Sequence, residues 1–112
     1  MSLRKVVVTG LGIVSSIGVG CEAVLQALKQ GKSGIVSEPE FIEKGMRSQI
    51  AGLVNLDFKE HIDRRILRFM GDAAAYAYIA MKEAISQAGL TEDQVSNERT
   101  GLFVGSGGGD TA

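Results

Sequence analysis

At 112 residues, with 45% apolar and 22% charged side chains, the chain has the length of about one small domain and is too apolar to be a disordered segment. A net charge near −1 excludes a global field that would draw it to nucleic acid or to a membrane surface. A single cysteine excludes an internal disulfide framework and fits a reducing, cytoplasmic setting, and Gly10 and Gly12 interrupt the first apolar run well short of a signal core or a membrane span.

Lys5–Gly10 carries Val6, Val7 and Val8 without polar alternation, the pattern of a strand covered on both faces. Leu11–Gly20, rich in Gly and Ser, reads as a loop. Glu22–Gln30 sets Val24, Leu25 and Leu28 beside Ala23 and Ala27, which predicts a short amphipathic helix stopped by Gly31. Lys32–Ser48 holds the one proline and mixed charges and reads as an irregular excursion. Gln49–Val54 reads as a short strand. In Asp63–Met70, Ile66, Leu67 and Met70 share a helical side, with Arg64, Arg65 and Arg68 among them. Asp72 is the expected N-cap of the clearest helix, Ala73–Ala88, which is apolar nearly all round until Lys82 and Glu83 and so reads as a central element. Gly89 ends it. Thr91 and Gln94 have capping-box spacing, and Thr100–Val104 reads as a second buried strand running into Gly105–Gly109.

Strand, helix, excursion, long helix and strand together point to an α/β fold with helices packed on a largely parallel sheet. Val6–Thr9 and Leu102–Val104 are expected as neighbouring strands of that sheet, with the long helix across it. Neither a repeat nor a linker to a second domain is visible. Two strands make no stable sheet alone, and a helix apolar on all sides needs covering layers, so the pattern reads as part of a larger α/β body.

The candidate chemistry is sparse. Gly10-Leu-Gly12 after a strand invites a dinucleotide-binding reading, but the third position of that fingerprint is Ser15 and the loop runs on through Gly18 and Gly20 where a helix should start. A tight backbone crossing under packed helices is the plainer reading. Gly105–Gly109 offers backbone N–H groups to an anion but lacks the Gly-Lys-Ser/Thr ending of a P-loop, so a flexible or closely packed turn is favoured. Cys21 and His61 are the one possible Cys-His pair, and nothing beside either residue supplies activation. One Cys and one His close no tetrahedral metal site, so neither metal nor cofactor is expected. Arg64, Arg65 and Arg68 form a basic cluster in a nearly neutral chain. It is either a solvated face paired with Glu60 and Asp63 or a docking patch for an acidic partner or a phosphate.

The segments in order are more informative than any one of them. Val7-Val-Thr-Gly-Leu-Gly-Ile-Val-Ser-Ser-Ile-Gly18, Gly31-Lys-Ser-Gly-Ile35, Gly45-Met-Arg-Ser48, Ile62-Asp-Arg-Arg-Ile-Leu-Arg-Phe-Met70, Ala84-Ile-Ser-Gln-Ala-Gly-Leu90 and Gly101-Leu-Phe-Val-Gly-Ser-Gly-Gly-Gly109 resemble the opening of the β-ketoacyl-acyl-carrier-protein synthases. The likeness spans nearly the whole chain and is strongest to the type I branch, which also handles unsaturated intermediates.

The resemblance implies that residues 1–112 are an incomplete N-terminal domain of a thiolase-like fold, layered α-β-α-β-α in the full-length family. It implies decarboxylative condensation of an acyl chain with malonyl carrier protein, in a cytoplasmic homodimer that binds neither nucleic acid nor membrane. The family's nucleophilic Cys and its two His residues belong to later segments, and Cys21 and His61 match none of them. No catalytic residue is assigned, and the piece alone is expected to be inert. By resemblance, Arg64, Arg65 and Arg68 meet the acidic acyl carrier protein, and Gly108 lines the acyl pocket. A non-catalytic carrier-protein-binding module, or a small nucleotide-binding α/β domain, are the alternatives.

Overall fold

The computed structural model describes residues 2–108 and separates into two compact units, Ile13–Asp57 and residues 2–12 with 58–108. The architecture is mixed: short antiparallel ladders and helices, in the order β1 (Val14–Ser15), β2 (Gly18–Val19), α1 (Cys21–Gln30), β3 (Ile35–Ser37), α2 (Pro39–Glu43), β4 (Ile50–Gly52), a 3-10 turn (Phe58–Glu60), α3 (Arg64–Leu67), α4 (Asp72–Ala88) and α5 (Glu92–Val95).

In the first unit, β1 and β2 form a hairpin with Val14 opposite Val19. The segment expected as a loop therefore folds back on itself, and Ser15 closes the turn by donating its hydroxyl to the Gly18 carbonyl at 3.1 Å. Helix α1 follows as expected. Its stop is conformational: Gly31 takes φ 64°, ψ 31°, and the Lys32 N–H reaches back to the Ala27 carbonyl at 2.9 Å. Its buried stripe is Val24 and Ala27, while Leu25 and Leu28 stay outside.

The excursion Lys32–Ser48 is more ordered than its composition indicated. Within it, β3 pairs antiparallel with β4, Val36 opposite Ala51, and the Glu38 N–H continues the ladder to the Gln49 carbonyl at 2.8 Å. Pro39 stands at the first position of α2, where its missing N–H costs nothing. The hairpin turn of β1 and β2 rests on this ladder at two glycines. A Cβ on Gly34 would fall 2.6 Å from the Ser16 carbonyl oxygen, and one on Gly52 would stand 3.2 Å from Ser16 Oγ.

The second unit is organised by α4. Its N-cap is Gly71, one residue before the expected Asp72, and Gly89 ends it at φ 68°. Ala75 and Ile79 are the buried positions of α4 and Ile62 joins them in the core, with the Phe58 and Tyr76 rings tilted at 57° and 5.1 Å apart beside it. The opposite row of small residues meets the N-terminal segment. A Cβ on Gly10 would strike the Ala84 carbonyl, and one on Gly12 would lie inside the Ala80 carbonyl. The Leu11 N–H between them donates to Gln87 Oε1 at 2.7 Å. Helix α5 is closed by the expected capping box, with the Thr91 N–H bonded to Gln94 Oε1 at 2.9 Å.

Three expectations are corrected. Where a largely parallel sheet was expected, both ladders among the described residues are antiparallel. Val6–Thr9 and Leu102–Val104 are not strands and share no sheet: neither has a ladder partner among the described residues. Their side chains are uncovered, with Val6 92% and Phe103 96% exposed. A β-branched run prefers extended backbone, but a ladder needs a second strand and an all-apolar strand needs cover on both faces. In consequence α4 is not central either, and only Ala75 and Ile79 along it are buried.

Candidate functional site

The nucleotide reading fails on geometry. Where a dinucleotide fingerprint keeps space for pyrophosphate, Gly10 and Gly12 are pressed against Ala80, Ala84 and Ala88 of α4, so the missing side chains admit a helix rather than a phosphate. The crossing under a packed helix is the arrangement found.

Cys21 opens α1 half-buried, and His61 is exposed in the turn after Phe58–Glu60. Among the described residues no group of three His, Cys, Asp or Glu side chains is placed to hold a metal ion. No helix of the described residues is long and apolar enough to cross a membrane.

The arginine cluster is real and wholly on the surface. Ile62 anchors the segment from within the core, and Asp63 then starts α3 as its N-cap, its Oδ1 accepting the Arg65 N–H at 2.9 Å. The same carboxylate takes the Arg65 side chain on both oxygens, Nε to Oδ1 at 3.3 Å and Nη2 to Oδ2 at 3.0 Å. Arg65 holds the Asp63 carboxyl below the ordinary aspartate range and is itself raised by it. The sign follows: the pair is fully charged at neutral pH, and its small contribution is lost only as pH falls through the lowered value. At 87% exposure of Arg65 this is a weak surface pair.

Helix α3 ends at Leu67, so Arg68 is its C-cap and the cluster occupies a single turn. The Arg68 guanidinium lies 4.7 Å over the Phe69 ring, which is itself exposed. Of the two acidic partners expected for the cluster, Asp63 is found there. Phe69 was not foreseen; its place directly after Arg68 was the signal that a cation could stack on it.

Gly108 is exposed, and nothing stands within 4 Å of a Cβ built on it. The preceding residues make a local turn, with Ser106 Oγ donating to the Gly108 carbonyl at 2.7 Å. Gly109, the last glycine of the run, lies outside the described residues.

A groove absent from the sequence reading runs along α4. About 440 Å³ in volume, it is lined by Ala74, Ala77, Tyr78, Met81 and Ile85, with Met70, Leu102 and Val104 at its sides. The available signal was the helix that is apolar all round.

The family model of the β-ketoacyl synthase N-terminal domain matches residues 3–112. The chain belongs to the β-ketoacyl synthase family. It is 63% identical over 107 residues to the 3-oxoacyl-[acyl-carrier-protein] synthase 1 of Haemophilus influenzae, covering 96% of this chain and 26% of that protein. Against synthase 1 of Escherichia coli K12 the identity is 49% over 108 residues, covering 96% and 27%. Against synthase 2 of Vibrio harveyi it is 36% over 108 residues, covering 96% and 26%. Identity thus runs higher toward these type 1 enzymes than toward the type 2 enzyme, in line with the type I resemblance. The chain spans about a quarter of the length of the curated relatives it matches.

Proposed function

We propose that this chain is the opening part of a 3-oxoacyl-[acyl-carrier-protein] synthase 1, an acyltransferase that elongates acyl chains by decarboxylative condensation with malonyl carrier protein. The observation that carries the reading is the 63% identity to a synthase 1 along 96% of the chain. In this reading residues 1–112 are an incomplete thiolase-like domain, and the layered α-β-α-β-α body, the homodimer and the cytoplasmic setting belong to the whole enzyme. An activated thiolate and preorganised oxyanion donors are what the reaction requires. Cys21 and His61 have no part in it, and the piece alone is inert.

Two surface features acquire roles. Arg64, Arg65 and Arg68 dock the acidic carrier protein, supported by their exposure on one turn fixed to the core through Ile62. Exposed charges of this kind set encounter rate and register more than affinity. By the family resemblance, Gly108 lines the acyl pocket of the whole enzyme.

The test is an assay of the full-length polypeptide with acyl and malonyl carrier protein. The expected products are the 3-oxoacyl carrier protein, carbon dioxide and the free carrier protein released by acyl transfer, seen by mass spectrometry. Arg65→Glu with Arg68→Glu lowers kcat/KM for carrier-bound substrate at low salt and spares a small pantetheine thioester. Absence of product in the unmodified enzyme overturns the activity; equal loss with both substrates makes the patch structural.

A further inference from the structure

We infer that Asp63 is a brake on the arginine patch: forked onto Arg65, its carboxylate keeps one of the three guanidinium groups from an acidic partner. The inference rests on the proposed reading of the patch as a docking surface for acyl carrier protein.

The geometry carries it. Asp63 Oδ1 accepts from Arg65 Nε and Oδ2 from Nη2, so the guanidinium edge best suited to a bidentate carboxylate contact is already taken. Arg64 and Arg68 form no ion pair with any carboxylate among the described residues. Arg68 offers the face of its guanidinium to Phe69, and a stacked guanidinium keeps its in-plane N–H groups available. A carboxylate of the partner must therefore displace Asp63 to take Arg65 on its Nε/Nη2 edge, whereas Arg64 and Arg68 carry no carboxylate there and can donate to it directly. The pair is exposed and weak, so it slows engagement without preventing it.

Asp63 has a second task that explains why the brake is built where it is. Its Oδ1 also caps α3. A cap at this position needs an oxygen but not a charge, since Asn and Ser serve as well. The negative charge is thus separable from the helix start by substitution.

The experiment is stopped-flow association of holo acyl carrier protein with the full-length polypeptide at low salt. Asp63→Asn keeps the cap and removes the charge, and association is expected to quicken roughly two- to four-fold. Asp63→Ser, which also caps, gives the same gain. The gain disappears in an Arg65→Ala background and as salt rises. An unchanged or slower rate in both variants overturns the inference. So does a gain that survives Arg65→Ala, because Asp63 would then act through the general field and not by occupying Arg65. Arg64→Ala with Arg68→Ala, run alongside, slows association if the patch docks the carrier. Should that pair have no effect, the docking reading fails on its own, whatever Asp63→Asn does.

Discussion

A methyl group on Gly12 would occupy space held by the backbone carbonyl of Ala80, and a helix carbonyl has nowhere to retreat. Gly12→Ala is therefore expected to destabilise the second unit by roughly 1–3 kcal/mol through overpacking. At Gly105 a Cβ would meet nothing within 4 Å, so Gly105→Ala supplies the control, with a change inside about 0.5 kcal/mol. Urea midpoints of the two variants check this, and equal midpoints would show that the N-terminal segment is not seated on α4. Gly10 and Gly12 also show what single residues reveal in sequence. Gly10-Leu-Gly12 announced a close backbone approach, but a phosphate and a helix make the same demand of glycine. Ser15 at the third fingerprint position and the chain continuing through Gly18 and Gly20 without a helix favoured the helix crossing.

At the scale of elements, legibility followed the physics of local structure. Helices α1 and α4 were readable because their signals lie within the segment: apolar spacing, and a glycine able to enter the left-handed region at the end. Gly89 at φ 68° is such a stop. Gly89→Ala is expected to cost about 1 kcal/mol, while Gly89→Asn costs less because Asn tolerates that backbone. Thermal unfolding of the three proteins orders them Gly, Asn, Ala; if Ala equals Gly, the stop is set elsewhere. Pairing was less readable. The hairpin of β1 and β2 has two-residue strands, too short for an alternation pattern, and β3 is three residues long with no buried face to announce it. For Val6–Thr9 and Leu102–Val104 the error ran the other way: a strong strand pattern needs a partner that its own residues cannot provide. The arginine patch was legible as charge, but its Asp63 fork depends on a helix start between the two residues, and the groove along α4 depends on what fails to cover an apolar helix.

For the whole chain, burial decides. Among the described residues the buried hydrophobic ones are Val24, Ala27, Ile62, Ala75 and Ile79, while Val6, Phe69, Leu102, Phe103 and Val104 are each at least 70% exposed. A monomeric soluble protein rarely leaves large apolar surfaces uncovered. The groove on α4, about 440 Å³ in volume, extends this apolar surface along the helix. Small chains are marginal because they bury too small a share of their surface, and this one buries little even for its length. Residues 1–112 on their own are therefore expected to associate, the unpaired Val6–Val8 and Leu102–Val104 segments joining copies by apolar contact and backbone pairing. Sedimentation velocity across a hundred-fold range of concentration is expected to show mass rising with concentration. The unfolding midpoint is expected to rise with it, since association that favours the folded state stabilises by mass action. Substituting Val7→Lys with Phe103→Lys puts charge into both segments and is expected to shift the population toward monomer while lowering the midpoint's dependence on concentration. A strictly monomeric chain with one cooperative midpoint at every concentration would mean that these surfaces are tolerated in water, and the account of α4 as an uncovered helix would then have to be abandoned.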